Sequence, residues 1–282
     1  VRRIFLDVIG LPPSPAEIDT FLAAYATDPT SATSAVIDDL LARPAYGEKW
    51  GRHWLDIARY SDTNGFEKDK PRDQWIYRDW VVDALNRDLP YDQFLTEQLA
   101  GDLLPGATQD NLIASGFMRN GMVNEEGAVI PEQFRIEGIV DRMDTFGKST
   151  LGLTVQCAQC HTHKFDPITT QDYYAIAGIF KNTRNGEHPL VPQAVVDAFT
   201  KGQEAIRDQN NAVNRFLDDE TKRLKVKRNE VEKLLEEGPK KKVVEMRTEL
   251  ERLKKAAPKK YEFAHVLQDA GKNDMHVALR GD

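Results

Sequence analysis

The strongest constraint on this chain is a change of hydrophobic period near Pro192. Phe199, Ile206 and Val213 recur every seven residues, and Leu217, Leu224 and Val231 do so again after a four-residue shift. A seven-residue apolar repeat lays one stripe of a helix against a partner, which is the coiled-coil pattern. Gly238-Pro239 is expected to break that helix. Val243, Met246, Leu250 and Leu253 then resume at 3-4-3 spacing and predict a second helix folded back on the first. Residues 191–260 therefore read as an antiparallel coiled-coil hairpin with a charged exterior and Lys240, Lys241 and Lys242 at its tip. The lysines read first as a solvated face and only second as a basic docking tip.

The preceding residues, 1–190, have a different texture: short helical patterns separated by Pro and Gly. Ser14 and Glu17 form a capping-box pattern with Pro15 at the first helical position, followed by an apolar stripe of Ile18, Phe21 and Leu22. Further helical patterns cover about 35–41, 47–60, 75–85, 91–99, 131–151 and 171–180, while alternating strands are scarce. The fold class expected is mainly α: a multi-helix body followed by the hairpin. His276–Arg280 looks like a strand, and residues 261–282 read as the beginning of a following, truncated domain.

Charge narrows the function classes. Residues 200–260 carry a net +6, so the remainder of this −7 chain carries −13. Phosphate backbones need a positive face, so no nucleic acid is expected as a partner of the acidic body. No apolar run approaches the roughly 18 residues that span a bilayer, so no membrane span is expected in this piece. Two cysteines are too few for a disulfide framework.

Those cysteines stand as Cys157-Ala158-Gln159-Cys160-His161, the pattern of c-type haem attachment. Two thiols one turn apart can each add to a haem vinyl group, and the adjacent His161 is then placed to ligate the iron. A thioredoxin-like pair is expected near a βαβ pattern, which is missing from this sequence. Structural zinc usually has a second ligand pair, and no second CxxC or HxxxH is present. An inert pair or a plain disulfide is the bland alternative.

For the other side of the iron, His53 is the first candidate. Trp50, His53, Trp54 and Ile57 fall at i, i+3, i+4 and i+7 and are expected to form an apolar, aromatic helix face. A lone His on such a face is otherwise a hydrogen-bonded core residue. Met118 or Met122 would give His/Met ligation, and an open position is the remaining case. His163 is too close to His161 to reach the opposite face and is expected to meet a propionate or solvent. His188, His265 and His276 are assigned no role.

Two polar loops, 61–69 and 119–127, read first as turn chemistry. Asp62-x-Asn64-Gly65-x-Glu67-x-Asp69 has a loose calcium-loop flavour but lacks the closing bidentate Glu, so calcium is a lesser reading. Glu125-Glu126 could do acid–base work, but no sequence feature sets its distance from a partner.

These residues together resemble the second planctomycete cytochrome-like domain, catalogued as domain of unknown function 1549. The matching stretches are Arg2-Arg3 with Asp7 and Gly10–Pro13, Tyr46–Trp50 through Arg52–Asp56 to Ala58–Tyr60, and Asp62–Gly65. They continue with Gln98–Pro105, Arg119–Met122, Asn124–Gly127, Phe134-Arg135, Val140–Arg142, Cys157–His161 and His163–Ile168, so the likeness runs to about Phe180. Thr162 stands where Asp is expected more often. The resemblance implies export to the periplasm or its equivalent, a large modular bacterial protein, an upstream cytochrome c module, and a companion domain of unknown function 1553 opening at His276–Asp282. It supplies no reaction.

The expected function is a redox or electron-transfer module bearing covalent haem c on Cys157, Cys160 and His161, with His53 as a second iron ligand. Its partner would be an upstream cytochrome c module or another redox protein, and it could form part of a haem-dependent oxidoreductase. The alternative is a haem-free scaffold domain of an envelope protein that binds metal or glycan.

Overall fold

The computed structural model describes residues 1–127 and 129–281. Contacts divide the chain into two compact units, Val1–His188 with the segment from Ala264 onward, and Pro189–Phe263. Among the described residues the fold is mainly α, with twelve α-helices and one two-stranded sheet.

Four helices of the first unit begin on proline: α2 (Pro15–Thr27), α3 (Pro29–Leu41), α4 (Pro44–Ile57) and α8 (Pro131–Phe146). At the first helical position the missing N–H has no intrahelical partner to lose, and the fixed φ already suits a helix. Ser14 closes the expected capping box on α2: Glu17 N–H donates to Ser14 Oγ at 3.3 Å and Ser14 N–H to Glu17 Oε2 at 2.7 Å. Helix α2 nevertheless buries none of its residues fully, and Leu22 of the expected stripe is exposed. The small core here comes from Phe5 of α1 (Arg2–Val8), Ile9 and Leu40.

Helix α4 packs closely on α5 (Trp75–Asn86). The approach depends on Gly47, where a Cβ would lie 2.4 Å from the Val82 carbonyl oxygen. Beside it, Trp54 Nε1–H and the Tyr77 hydroxyl both donate to Gln98 Oε1 of α6 (Tyr91–Ala100), at 2.8 and 2.7 Å. The Gln98 amide donates back to the Phe94 carbonyl at 3.0 Å. A buried amide satisfied in this way fixes the aromatic core instead of destabilising it.

After α7 (Gln109–Ala114) the chain reaches α8, which runs on into one π turn, Gly147–Leu151. Helix α9 (Thr170–Lys181) follows, capped by Thr169 and Asp172. Strand β1 (Thr183–Pro189) pairs with β2 (Phe263–Asp269). Leu190 N–H to the Glu262 carbonyl (2.9 Å) and Ala270 N–H to the Asn182 carbonyl (2.7 Å) bracket an antiparallel register. The segment read as a strand at His276–Arg280 is instead irregular and ends in a 3-10 turn, Leu279–Gly281. Arg280 and Gly281 both take positive φ there, which no strand tolerates.

The second unit holds α10 (Gln193–Leu224), α11 (Val231–Leu234) and α12 (Glu237–Ala256). Helices α10 and α12 run in opposite directions: Gly202 meets Ala257, and Gln209 donates to the Met246 carbonyl at 2.9 Å. Val213, Leu217, Val231 and Val243 are buried between the helices, each contributing about 1.5–3 kcal/mol by leaving water. The break differs from the expected one. Helix α10 stops at Lys225, whose left-handed φ of 55° ends it, whereas Gly238-Pro239 lies inside the first turn of α12. Pro is tolerated there because the first four N–H groups of a helix are unpaired.

Candidate functional site

Val155–Gln159 forms a short 3-10 turn that Cys160 closes. It packs on α8, α9 and the π turn. Val155 and Ala158 point inward and are buried; Val155 sits so close to Gly147 that a Cβ there would lie 2.4 Å from its Cγ2. The Tyr174 hydroxyl donates to the Gln159 carbonyl at 3.3 Å. With the inward positions taken, Cys157 and Cys160 are left exposed as free thiols.

The two histidines that follow have opposite surroundings. His161 is exposed, and its Nδ1 lies 2.8 Å from the Thr162 carbonyl. A carbonyl can only accept, so Nδ1 carries the proton and the neutral ring keeps its lone pair on Nε2. His163 is buried, contrary to the expectation of solvent. Its Nδ1 accepts the Asp166 N–H at 2.9 Å and the Phe165 N–H at 3.3 Å, which leaves Nε2–H to donate to Thr154 Oγ1 at 3.2 Å. His163 thus ties the loop after the motif to the residue before it.

Segments that adjoin the turn carry exposed apolar side chains. Phe165 is 84% exposed, Leu151 of the π turn 51% and Leu279 82%. Leu279 belongs to the turn whose Gly281 lies against Cys160, where a Cβ would be 2.6 Å from Sγ.

A second locus joins the two polar loops. Val123 N–H donates to the Asn64 carbonyl at 2.9 Å, and Lys68 N–H to Glu126 Oε1 at 2.7 Å. Lys70 Nζ lies 2.5 Å from Glu125 Oε2. Beneath them Arg72 donates to the carbonyls of Ser61 (3.0 Å), Gly121 (2.9 Å) and Asn120 (2.6 Å). The Glu125-Glu126 pair therefore clasps lysines of the facing loop. Among the described residues no three His, Cys, Asp or Glu side chains gather to hold a metal ion, here or at the CxxCH turn.

Between these loops and α8 lies a cleft of about 400 Å³, lined by Arg59, Phe66, Met122, Asn124, Phe134, Glu137, Gly138 and Asp141. Burial pushes the guanidinium of Arg119 down to about 10, with Arg72 and Arg142 adding repulsion. The same burial, with Arg119 next in effect, pushes His265 down to about 4.

A family described as PSCyt2, protein of unknown function (DUF1549), matches residues 1–185. The chain belongs to the PSCyt2 family. No curated protein and no solved structure matches the chain. The PSCyt2 match contains both linked loops and the CxxCH turn, and it does not extend to His276–Asp282.

Within the PSCyt2 region the candidate iron ligands have different surroundings. The buried face of α4 is Gly47, Gly51, Leu55 and Ala58, not the Trp50-His53-Trp54-Ile57 stripe. His53 is exposed, its ring 5.6 Å from that of Trp50, on a helix that packs against α5. Hydropathy favoured the aromatic stripe, but the tightest face of a close helix pair is its glycine face. Met118 is buried and its carbonyl accepts from Arg142 at 3.2 Å, whereas Met122 covers Gly65 in the cleft.

Sequence reasoning missed Arg59 and the bracing role of His163. Arg59 closes α4 at φ 58°, with Tyr60 N–H donating to the Leu55 carbonyl (3.0 Å) and Arg59 N–H to that of Asp56 (3.2 Å). This is a Schellman ending with Arg where Gly is usual. Arg59 follows Ala58, the C-cap of α4, with no Gly in the sequence to mark the left-handed position.

Proposed function

We propose that Cys157 and Cys160 of this PSCyt2 chain carry a covalent haem c, that His161 ligates its iron, and that the domain is a redox or electron-transfer module of a large exported bacterial protein. The observation that carries this reading is the His161 contact: Nδ1–H donates to the Thr162 carbonyl, which leaves Nε2 free to bind a metal, the arrangement metal-ligating histidines favour. Two further facts support it. Both thiols are exposed, Cys157 within the 3-10 turn and Cys160 at its end, and the apolar side chains of Leu151, Phe165 and Leu279 on adjoining segments are exposed as well. A haem held there supplies one-electron chemistry.

The chain's own part is to orient His161, to keep His163 away from the iron by burying it, and to present the thiols. His53, whose side chain is exposed on α4, is proposed as the second iron ligand, and the reading itself rests on His161. Attachment of c-type haem follows export, so the periplasm or its equivalent is the compartment proposed. An upstream cytochrome c module or a basic redox protein is the partner proposed, because the chain outside residues 200–260 carries −13. Helices α10 and α12 are read as a coiled-coil hairpin on the heptad spacing of Phe199, Ile206 and Val213.

The test is a pyridine haemochrome spectrum of the protein exported from cells competent for haem attachment, beside Cys157→Ala/Cys160→Ala. The expected result is a c-type spectrum that survives acid–acetone extraction and disappears in the variant. A colourless protein from the same cells would overturn the reading and favour a haem-free envelope scaffold.

A further inference from the structure

We propose that the cleft between the 61–69 loop and α8 binds a neutral sugar ring, at a site that shares none of its lining residues with the CxxCH turn. The cleft's volume, about 400 Å³, lies within the roughly 300–1,000 Å³ typical of small-molecule sites. Its apolar wall is Phe66, Phe134 and Met122, with the two rings edge to face at 5.6 Å. Its polar wall is Arg59, Asp141, Asn124 and Glu137.

One residue of the apolar wall is held at a conformational cost. Phe66 has φ of 61°, in the left-handed region that bulky side chains avoid, whereas the positive φ of Arg59 belongs to the ending of α4. Strain of this kind concentrates where a side chain must be aimed at a ligand. Beside Phe66, Gly65 allows the close approach of Met122, since a Cβ would lie 2.9 Å from its sulfur. The loop is therefore built to bring an aromatic ring and a thioether to one wall.

Charge and hydrogen-bonding capacity select the ligand class. One arginine faces two carboxylates, so an anionic ligand meets net repulsion. A hydrocarbon would cover the Arg59–Asp141 pair without replacing its water, which is costly. A neutral polyhydroxylated ring offers donors to Asp141 and Glu137, acceptors to Arg59, and both to Asn124. Its C–H face matches Phe66, Phe134 and Met122.

Gly138 gives a sharp test. It lies within α8 and lines the cleft, yet a Cβ built on it meets nothing within 4 Å. Gly138→Leu would project into the cleft from a Cβ that meets nothing, and it favours the helix. The full chain would be titrated with the methyl glycosides of glucose, galactose, mannose and xylose, read by saturation-transfer NMR. A matching trisaccharide and methyl glucuronide would be run in parallel. The proposal expects transfer to the ring protons of at least one neutral glycoside, weaker or no binding of the glucuronide, and about a tenfold or greater loss of affinity in Gly138→Leu at unchanged or higher Tm. Phe134→Ala, checked for folding by circular dichroism, should lose the same binding. A tighter trisaccharide would indicate a chain-bound sugar as the source, and equal affinity a free one. Absence of transfer from every neutral glycoside and from the trisaccharide, preference for the glucuronide, or undiminished binding by Gly138→Leu would each overturn it.

Discussion

Arg59 Nη2 lies 2.9 Å from Asp141 Oδ2, joining the left-handed end of α4 to the middle of α8. The guanidinium is largely buried, so Asp141→Ala removes the partner of a charge that water reaches poorly. We expect a loss of about 1–3 kcal/mol, measured by urea unfolding. At position 59 the backbone and the ion pair oppose each other. Arg59→Gly should be more stable than Arg59→Ala by roughly 1 kcal/mol, because only Gly adopts this φ without penalty. Equal stability of the two variants would show that position 59 does not need the left-handed conformation.

His163→Ala removes the acceptor of the Asp166 N–H and the donor to Thr154 in one step. The expected cost is about 2–4 kcal/mol, as for other buried side chains whose hydrogen-bond partners are stranded. His161→Ala, at an exposed side chain, should change thermal stability little in protein purified without haem. Similar losses for the two would mean that His163 does not brace the loop.

The glycine face of α4 gives a matched pair. Gly47→Ala places a Cβ 2.4 Å from the Val82 carbonyl oxygen, and backbone cannot move aside cheaply. Gly51→Ala meets Val82 Cγ2 at 3.4 Å, an ordinary contact. The first should cost about 1–3 kcal/mol by overpacking. The second should be neutral or stabilising through helix propensity. Guanidinium melts of the two variants read the difference directly.

His265 makes stability depend on pH. Its folded-state pKa, about 4, lies below the ordinary 6.5, because of burial first and Arg119 second, with Arg72 adding to the shift and Glu187 and Asp73 opposing it. Between these values the unfolded chain binds a proton that the folded chain refuses, so stability falls as pH drops from 6.5 towards 4. Partial solvent access keeps the loss to roughly 1–2 kcal/mol. His265→Gln should flatten that part of the curve in urea melts taken at pH 6.5, 5.5 and 4.5; an unchanged slope would assign it to other groups.

Local signals were readable where local chemistry decides. The capping box at Ser14 and Glu17 is set by hydrogen bonds within a few residues and the Pro131 start by proline's fixed φ, and both stand as expected. The Cys157–His161 spacing was equally plain. The second-unit break was misplaced because proline breaks a helix only beyond its first turn, and no pattern said that Lys225 would turn left-handed first. The buried face of α4 was not legible because hydropathy ranks Trp above Gly, while the approach of α5 depends on the absence of a side chain. The cleft was invisible for a related reason. Phe66, Met122 and Phe134 lie far apart in sequence, and only the folding of two loops onto α8 makes them neighbours.

The clasp of His163 on Thr154 and Asp166 closes entirely within the polypeptide. One imidazole thus pins both ends of the loop that carries Cys157, Cys160 and His161, so a bend of that loop is felt at Thr154 and Asp166 together.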